Sequence, residues 1–433
     1  MRVLVAVLPF AGHVAPMQAL VRELTARGHD VRVYTGSAYR SRFEDAGASV
    51  LVWRMAPDFD EHALERTFPQ LRGKKGPRQL LANVEHLFIR SAAGQAQDLL
   101  AEWRSEPWDM LLSETTSVGA ALAAERTTAP WVSVAITPLS LPSTALPPSG
   151  LGIRPGRGPV GRFRDRALRV VSRALTRRLR TALDETRATA GLGPSPVPFE
   201  AAGFSPTLIL ATGSRSLDYR RPDPPPHLHY VGTLGVFAGT PHPQWWAEVE
   251  HATAPVVHVT QGTQNLNPDD LLRPALEALA DEPVLVVASS GVAGHDRLPF
   301  PVPENVRVAG LLPHAELLPR TSVMITNGGW GGTLAALSSG VPLILAGGDL
   351  DKPEVAARVG WSGAGIDLRT GTPDARQISA AFRRIRSDPS FRAAAKAVGR
   401  ELGEGGGVPR AVDLIEQVET PDPGESPSAA SGA

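Results

Sequence analysis

The chain has 433 residues, of which 42% are hydrophobic and 20% charged, so it is too long for one core and typical of a soluble protein of two domains. Lysine plus arginine equals aspartate plus glutamate at 44 each, which excludes a global charge that would attract nucleic acid or a membrane. The absence of cysteine excludes disulfides and thiolate metal sites and fits a reducing compartment.

The first half of the chain alternates strand-like and helix-like segments. The apolar start is short and a charged helix follows it, so it indicates a buried first strand and not a signal peptide. No apolar run has transmembrane length. The alternation predicts a parallel sheet covered by helices, with strands at residues 3–8, 31–34, 50–53, 110–113 and 132–136 and helices at residues 15–26 and 118–126.

Two side chains follow strands of this predicted sheet. His13 comes just after the first strand, at the edge where an open parallel sheet binds ligands. A histidine with a pKa near neutrality suits a base that takes a proton from a substrate hydroxyl. Glu114 ends another strand at the same edge and is the candidate that orients His13 and stabilises its charged form. The alternative is a histidine with a structural role only.

Two further segments of the first half carry predictions. Residues 162–183 form an arginine-rich helix with an apolar stripe. It is either a membrane-surface or acidic-partner helix, or a solvated helix whose stripe packs on the N-terminal domain. We favour the second interpretation, because runs of charge usually face water. Residues 220–226, RRPDPPP, are the stiffest internal stretch, and we place the interdomain linker there.

The second half repeats the strand and helix pattern and contains a glycine-rich segment. Glycines between a strand and a helix let backbone N–H groups approach an anion, and the helix N-terminus adds partial positive charge. The segment predicts a phosphate or diphosphate site, although it is neither a P-loop nor a good Rossmann fingerprint, and a tight turn without a ligand is the alternative. The predicted strands are residues 256–260, 284–288, 306–309, 323–326 and 343–346, the helices include residues 269–279 and 334–339, and the segment is Asn327, Gly328, Gly329, Trp330, Gly331, Gly332 and Thr333.

With these motifs the chain resembles a glycosyltransferase of the GT-B fold, an α/β class in which two Rossmann-like βαβ domains face each other across a cleft. It resembles in particular the nucleotide-sugar-dependent enzymes of bacterial natural-product and macrolide glycosylation, which are related to the UDP-glycosyltransferases of plants and animals. The resemblance covers residues 1–417 and rests on the order of short motifs: Gly12-His13-Val14, Thr260-Gln261-Gly262-Thr263, Leu311-Leu312-Pro313-His314, residues 326–333, Gly340-Val341-Pro342, Asp351-Lys352-Pro353 and Ala356-Ala357-Arg358-Val359.

The resemblance implies a role for each motif. His13 stands in the position of the base that deprotonates the acceptor, and Glu114 in that of its acidic partner, which is usually aspartate. The nucleobase is expected at Leu311, Leu312 and His314, and the hydroxyls of the donor sugar at Asp351 and Lys352. The diphosphate is expected at Gln261, Gly262 and Thr263 and at the seven residues from Asn327 to Thr333.

This sequence departs from the family's pattern at several of these positions. Asn327 replaces a histidine, so it can donate a hydrogen bond but carries no charge. Ala335 stands where plant relatives have a ribose-binding glutamate, Leu311 where they have tryptophan, and Lys352 where glutamine is usual. Asp349-Leu350-Asp351 resembles the metal-binding Asp-x-Asp pair of another glycosyltransferase architecture, but no third ligand is apparent, and we predict no metal site.

The predicted activity is an inverting, metal-independent transfer of a hexose from a UDP- or TDP-sugar to a small hydrophobic acceptor. We expect no cofactor, no nucleic-acid partner, a cytoplasmic location and a monomer or homodimer. The alternatives are a non-catalytic helper of another glycosyltransferase, and a nucleotide-sugar epimerase or lipid-linked precursor transferase of the same fold. Two sets of residues line the acceptor pocket or belong to the core: the loop at residues 138–159, and the side chains of Trp53, Phe59, Phe68, Leu87 and Phe88.

The expected domains follow from the linker and from the resemblance. They are an acceptor-binding domain at residues 1–221, a Pro-rich linker at 222–245, a nucleotide-sugar-binding domain at 246–400, a C-terminal helix at 401–419 that packs back toward the N-terminal domain, and a disordered tail at 420–433.

Overall fold

The computed structural model describes residues 1–74, 76–235, 239–262 and 267–420. Within these residues the strands form two parallel sheets, the α/β architecture that the sequence predicts. The first sheet has the order β3-β2-β1-β4-β5-β6-β7, with β1 (Arg2–Ala6), β2 (Asp30–Thr35), β3 (Ser49–Val52), β4 (Met110–Glu114), β5 (Trp131–Ala135), β6 (Leu208–Ala211) and β7 (Leu228–Tyr230).

The second sheet repeats this arrangement with six strands among the described residues. Its order is β10-β9-β8-β11-β12-β13, with β8 (Val256–Thr260), β9 (Leu285–Ser289), β10 (Val306–Ala309), β11 (Thr321–Thr326), β12 (Leu343–Leu345) and β13 (Gly365–Asp367). The central strands β8 and β11 are buried almost throughout, because helices cover both faces of a parallel sheet.

Helices connect the strands and cover both sheets. None of those in the described part of the chain is long and apolar enough to cross a membrane. They are α1 (Ala11–Ala26), α2 (Arg40–Glu44), α3 (Leu64–Thr67), α4 (Gly76–Asn83), α5 (Ala92–Ser105), α6 (Val118–Ala124), α7 (Gly158–Leu175), α8 (Arg177–Thr189), α9 (Trp246–Glu250), α10 (Leu272–Leu279), α11 (His314–Leu317), α12 (Trp330–Ser338), α13 (Lys352–Ser362), α14 (Ala375–Ser387), α15 (Ser390–Glu404) and α16 (Gly407–Glu416), with a π-helical turn at Val84–Arg90 between α4 and α5.

The Pro-rich stretch at residues 220–226 lies inside the first domain, where it connects β6 to β7. The first domain therefore extends to Tyr230, past the boundary predicted at residue 221. The misplacement has a physical cause, since β7 is a three-residue edge strand and a stiff proline loop precedes such strands as readily as it links domains.

The last helix of the described chain returns to the first domain. Apolar side chains of α16, among them Val412 and Ile415, lie in the same core as Val14 and Met17 of α1. Arg27, which follows α1, binds the Asp413 carboxylate at 2.7 Å. Of the predicted tail, residues 421–433 lie outside the described residues.

The arginine-rich segment at residues 162–183 differs from its prediction. It forms two helices, α7 and α8, separated at Thr176. In α8 the apolar residues Leu179 and Leu183 are buried in the domain, as we expected. In α7 the expectation is wrong, because its apolar stripe faces solvent.

Candidate active site

The first turn of α1 holds His13 at the carboxyl edge of the first sheet. The helix begins at Ala11, four residues earlier than predicted, so His13 lies within a helix and not in a preceding loop. The backbone N–H of Ala11 donates to both carboxylate oxygens of Glu61, at 3.1 and 3.2 Å. A carboxylate at a helix N-terminus satisfies an unpaired N–H group and stabilises the helix dipole. Glu61 therefore fixes the turn that carries His13.

Glu114 contacts His13 as the sequence predicts. Strands β1 and β4 are neighbours with Ala6 opposite Ser113, so both strands end at the same edge of the sheet. The side chains of His13, which follows β1, and Glu114, which ends β4, therefore meet there. The Nδ1 atom of His13 lies 3.3 Å from Oε1 of Glu114. The Glu114 side chain is fully buried, whereas that of His13 is 17% exposed. With Nδ1 turned to the carboxylate, Nε2 is the nitrogen available to a substrate proton.

Thr116 completes the surroundings of the Glu114 carboxylate. Its backbone N–H donates to Oε2 at 2.6 Å, and its hydroxyl donates to both carboxylate oxygens at 2.7 Å. These bonds satisfy a buried charge that would otherwise destabilise the fold. Neither Thr116 nor Glu61 was among the predicted site residues. Glu61 lies 48 residues from His13 in a loop without periodicity, so no sequence pattern indicates it.

The charges around His13 decide its protonation. Burial lowers the pKa of His13, but the Glu114 carboxylate, with smaller contributions from Asp351 and Glu61, raises it more, so it lies above its ordinary value of 6.5. Burial raises the pKa of Glu114, and His13 and Thr116 lower it more, so Glu114 stays ionised. The pair therefore favours an imidazolium beside a carboxylate, the arrangement that a base adopts after taking a proton.

The glycine-rich segment follows β11 at the corresponding edge of the second sheet. Asn327, Gly328 and Gly329 lie between the strand and α12, which begins at Trp330, four residues earlier than the helix predicted at residues 334–339. Gly328 has a φ of +91°, which a side chain would strain. The first turn of α12 thus contains Gly331 and Gly332, and the free backbone N–H groups of such a helix terminus can bind an anion.

The side chains of this segment have distinct surroundings. The Asn327 amide is buried and donates to the backbone oxygen of Gln261, which ties together the loops that follow the neighbouring strands β8 and β11. The Thr333 hydroxyl is fully buried and has no hydrogen-bond partner among the described residues. A buried hydroxyl without a partner is costly, so a ligand oxygen at this position would satisfy it.

The side chain of Trp330 binds the first domain. Its indole N–H donates to the Thr212 hydroxyl at 2.9 Å, just after β6. A Cβ atom at Gly213 would lie 2.8 Å from the indole ring, so this contact requires glycine there. Within the segment predicted to bind diphosphate, Trp330 therefore joins the two domains through its side chain, and only its backbone faces the helix terminus.

The residues predicted to contact the nucleobase divide into two groups. Leu312 is buried in a core with Trp246, whereas Leu311 is 41% exposed. His314 packs against His258 of β8, with their Nε2 atoms 3.2 Å apart. Burial lowers the pKa of His314 to about 4 and, with the charge of His314, that of His258 to about 3, so both rings are neutral at pH 7. Gln261 and Gly262, predicted to contact the diphosphate, begin the loop that follows β8, while Thr263 lies outside the described residues.

The residues predicted to bind the donor sugar lie at the start of α13, where Asp351 precedes the helix and Lys352 begins it. Lys352 is buried and its Nζ atom lies 2.5 Å from Oδ1 of Asp349. Burial raises the pKa of Asp351, and the charge of Asp351 in turn raises the pKa of His13, so the two side chains lie near enough to interact electrostatically across the two domains. Among the described residues, no group of three or more His, Cys, Asp or Glu side chains is arranged to hold a metal ion.

The aromatic residues considered for an acceptor pocket belong mostly to the core. One cluster buries Trp53, Phe59, Phe68 and Leu87, with Phe88 half-buried at its margin. Phe10 links this cluster to the site, with its ring centroid 5.2 Å from that of His13 and 6.4 Å from that of Phe88. Phe10 is therefore the aromatic ring next to His13, and Phe88 lies beside Phe10.

Known proteins are similar to this chain over almost its whole length. Residues 276–412 match the family described as erythromycin biosynthesis protein CIII-like, C-terminal domain. The chain is 41% identical to 4'-demethylrebeccamycin synthase of Lentzea aerocolonigenes, with 96% of this chain and 99% of that protein aligned. It is 34% identical to UDP-glucosyltransferase B1 of Starmerella bombicola, with 91% and 93% aligned.

Solved structures share the arrangement of the two domains. A spinosyn rhamnosyltransferase in complex with thymidine diphosphate has a TM-score of 0.70 at 24% identity, with 96% of this chain and 100% of that chain covered. A calicheamicin glycosyltransferase has a TM-score of 0.70 at 22% identity, with 96% and 98% covered. At these identities the likeness shows the fold, and it confirms the two-domain fold class predicted from the sequence.

Proposed function

The chain belongs to the GT-B glycosyltransferases of antibiotic and other natural-product biosynthesis, and we propose that it transfers a sugar from a UDP- or TDP-sugar to a small hydrophobic acceptor, with inversion and without a metal ion. The observation that supports this most is the His13–Glu114 pair at one sheet edge, with Asp351 of the other domain near enough for its charge to act on His13. One relative is a UDP-glucosyltransferase, and thymidine diphosphate is bound to one structural neighbour.

In the proposed reaction His13 acts as a general base. Its Nε2 atom takes the proton from the acceptor hydroxyl (or N–H) while the acceptor atom forms a bond to the anomeric carbon of the sugar. The bond from that carbon to the diphosphate oxygen breaks on the opposite side, and the nucleoside diphosphate leaves with the electron pair. The configuration at carbon is therefore inverted, and the Glu114 carboxylate stabilises the imidazolium that forms.

The second domain would stabilise the leaving diphosphate without a metal ion. The free N–H groups at the N-terminus of α12 and the unpartnered Thr333 hydroxyl supply donors where negative charge grows. In the Asp-x-Asp pair, Asp349 is already neutralised by Lys352 at 2.5 Å, which disfavours its use as a metal ligand. The Phe10 ring beside His13, with Phe88 adjacent to it, suits a hydrophobic acceptor.

Nucleotide binding tests the donor site. UDP or TDP at a hundred times its Kd should stabilise the protein by about 2.7 kcal/mol, measured as a rise in melting temperature. Thr333→Val, which keeps the shape but removes the hydroxyl, should reduce the affinity by roughly tenfold. Ser338→Ala, at the exposed far end of α12, is the matched control and should leave it unchanged. No stabilisation by either nucleotide would refute the proposed donor site.

The pH dependence of turnover tests the role of Glu114. We expect turnover to fall as the pH drops through the raised pKa of His13, since a protonated ring accepts no proton. Glu114→Gln removes the charge that raises this pKa, so the acid limb of the kcat profile should move to lower pH while the plateau falls by roughly tenfold or more. Asp109→Asn, at the opposite end of β4, should leave the limb in place. An unshifted limb in the Glu114 variant would show that Glu114 does not act on His13.

A further inference from the structure

Helix α7 is oriented with its apolar side outward. Its apolar stripe, Val160, Phe163, Ala167, Val170, Val171, Ala174 and Leu175, is exposed along the whole helix, and the exposed fractions reach 82% for Val160, 75% for Phe163 and 68% for Leu175. At 100° per residue, the positions from 160 to 174 in this stripe fall within about 100° of one another on one face of the helix. A contiguous exposed stripe of this kind marks an interaction surface.

Polar contacts hold the opposite face of α7 against the protein. Asp165 is the residue of this helix that is buried, and its carboxylate accepts the Gly156 N–H at 2.8 Å and the Arg164 guanidinium at 2.7 Å. Arg164 also donates to the Arg154 backbone oxygen at 2.6 Å, and Arg169 donates to that of Leu146 at 2.7 Å. The outward orientation is thus fixed by specific bonds.

Arginines border the exposed stripe. The helix carries Arg162, Arg164, Arg166, Arg169 and Arg173 against one acidic residue, Asp165. In the described part of the chain no carboxylate lies within 4.0 Å of Arg162 or Arg166. Because the whole chain has equal numbers of basic and acidic residues, this positive charge is a local feature of the stripe and its borders.

We propose that α7 is a docking surface for an anionic phospholipid bilayer. A convex helix about 27 Å long, with an apolar face and arginines along its borders, can insert its apolar side chains below the headgroups while the arginines bind phosphates. A symmetric dimer through α7 would bring two such arginine rows together, and their like charges disfavour it. The helix is also a ridge, whereas an acidic protein partner would have to supply a matching groove.

The position of α7 suggests what the docking accomplishes. The loop before it bonds to the second domain, where the N–H groups of Gly150 and Gly152 donate to Glu354. The docked helix therefore holds the edge of the interdomain cleft near the bilayer, where hydrophobic molecules partition. The inference that the bilayer supplies the hydrophobic acceptor rests on the proposed function, but the inference that α7 binds lipid does not.

Vesicle co-sedimentation of the full chain tests the docking. The protein should bind vesicles of mixed phosphatidylglycerol and phosphatidylcholine and should not bind vesicles made only of phosphatidylcholine. Added salt should weaken the binding. The double variant Phe163→Ser/Val170→Ser should lower the bound fraction by about tenfold, and Arg162→Gln/Arg166→Gln should abolish the preference for anionic vesicles. All four side chains are exposed, so folding should be retained, and melting curves check this.

The controls distinguish the occupants of the stripe. Val302→Ser removes an exposed apolar side chain of the second domain and should leave vesicle binding unchanged. Light scattering reports oligomeric state: a dimer that Phe163→Ser/Val170→Ser dissociates would assign the stripe to a second copy and overturn the proposal. Equal binding to neutral and anionic vesicles, or no binding to either, would also overturn it. Nucleotide-induced stabilisation is measured separately, so failure of the docking and of the proposed function are distinguishable.

Discussion

His13→Ala is expected to lower kcat by about 10²- to 10⁴-fold and to leave the affinity for the donor nucleotide unchanged. The side chain projects from the first turn of α1 with Nδ1 toward a buried carboxylate, and among the described residues no hydrogen bond joins it to the glycine-rich segment of the proposed donor site. Removing it takes away the base but not the anion-binding helix terminus. The measurement pairs steady-state kinetics with nucleotide titration.

A double-mutant cycle sharpens this experiment. Glu114 acts through His13, so Glu114→Gln should reduce turnover in the wild-type background and have little further effect in His13→Ala. His29→Ala provides the matched control, since His29 also pairs with a glutamate, at 2.8 Å, but at the other end of α1. If His13→Ala weakened nucleotide binding as much as turnover, the ring would have a structural role and the assignment would fall.

The positions of His13 and Glu114 could be predicted because strand ends carry them. Neighbouring parallel strands meet at one edge, so a residue just after β1 and one ending β4 lie together whatever the loops do. Glu61 and Thr116 could not be predicted in the same way. Glu61 reaches the start of α1 from a loop, and Thr116 acts by local hydrogen bonds that any threonine after a strand can form.

The limits of the fold prediction have similar causes. Strands β8 and β11, of five and six residues with three apolar side chains each, are evident from composition, whereas β7 and β13 have only three residues each and pair through their backbones. The orientation of α7 was predicted wrongly because an amphipathic pattern shows that a helix has an apolar face but not which way that face turns. Hydrogen bonds of three side chains, Asp165, Arg164 and Arg169, fix the orientation of α7.

A buried ion cluster explains the Ala356-Ala357-Arg358-Val359 motif, whose physical role is invisible in the sequence. Arg358 of α13 is 2% exposed and donates to Asp218 of the first domain at 2.6 Å and to the Leu139 backbone oxygen at 2.8 Å. Its Nε atom donates to Glu354 of its own helix at 2.9 Å. Burial raises the pKa of Asp218, but the charges of Arg358 and Arg221 lower it below its usual value, so Asp218 is ionised. The cluster joins the two domains.

Arg358→Met is therefore expected to destabilise the protein by about 3–5 kcal/mol, the cost of leaving the partners of a buried ion pair uncompensated. Arg221 and the Tyr230 hydroxyl still bind Asp218, at 2.6 Å each, so the lower end of this range is expected. Calorimetric unfolding measures the loss, and it should be accompanied by a rise in KM for the donor if the contact also sets the spacing of the domains.

A substitution of the ion-pair partner distinguishes the stability lost through an unpaired charge from the stability lost through poorer packing. Glu354→Gln in the Arg358→Met background removes the buried carboxylate that has lost its counter-charge, whereas Asp218 keeps Arg221. The double variant should therefore recover part of the lost stability, about 1–2 kcal/mol, because a neutral amide costs less to bury than a carboxylate. Arg307→Met, which breaks a pair with Glu248 at the surface, is the matched control and should cost less than about 1 kcal/mol. An Arg358 variant no less stable than this control would show that solvent reaches the cluster and that the two domains are held together by other contacts, such as the Trp330–Thr212 bond.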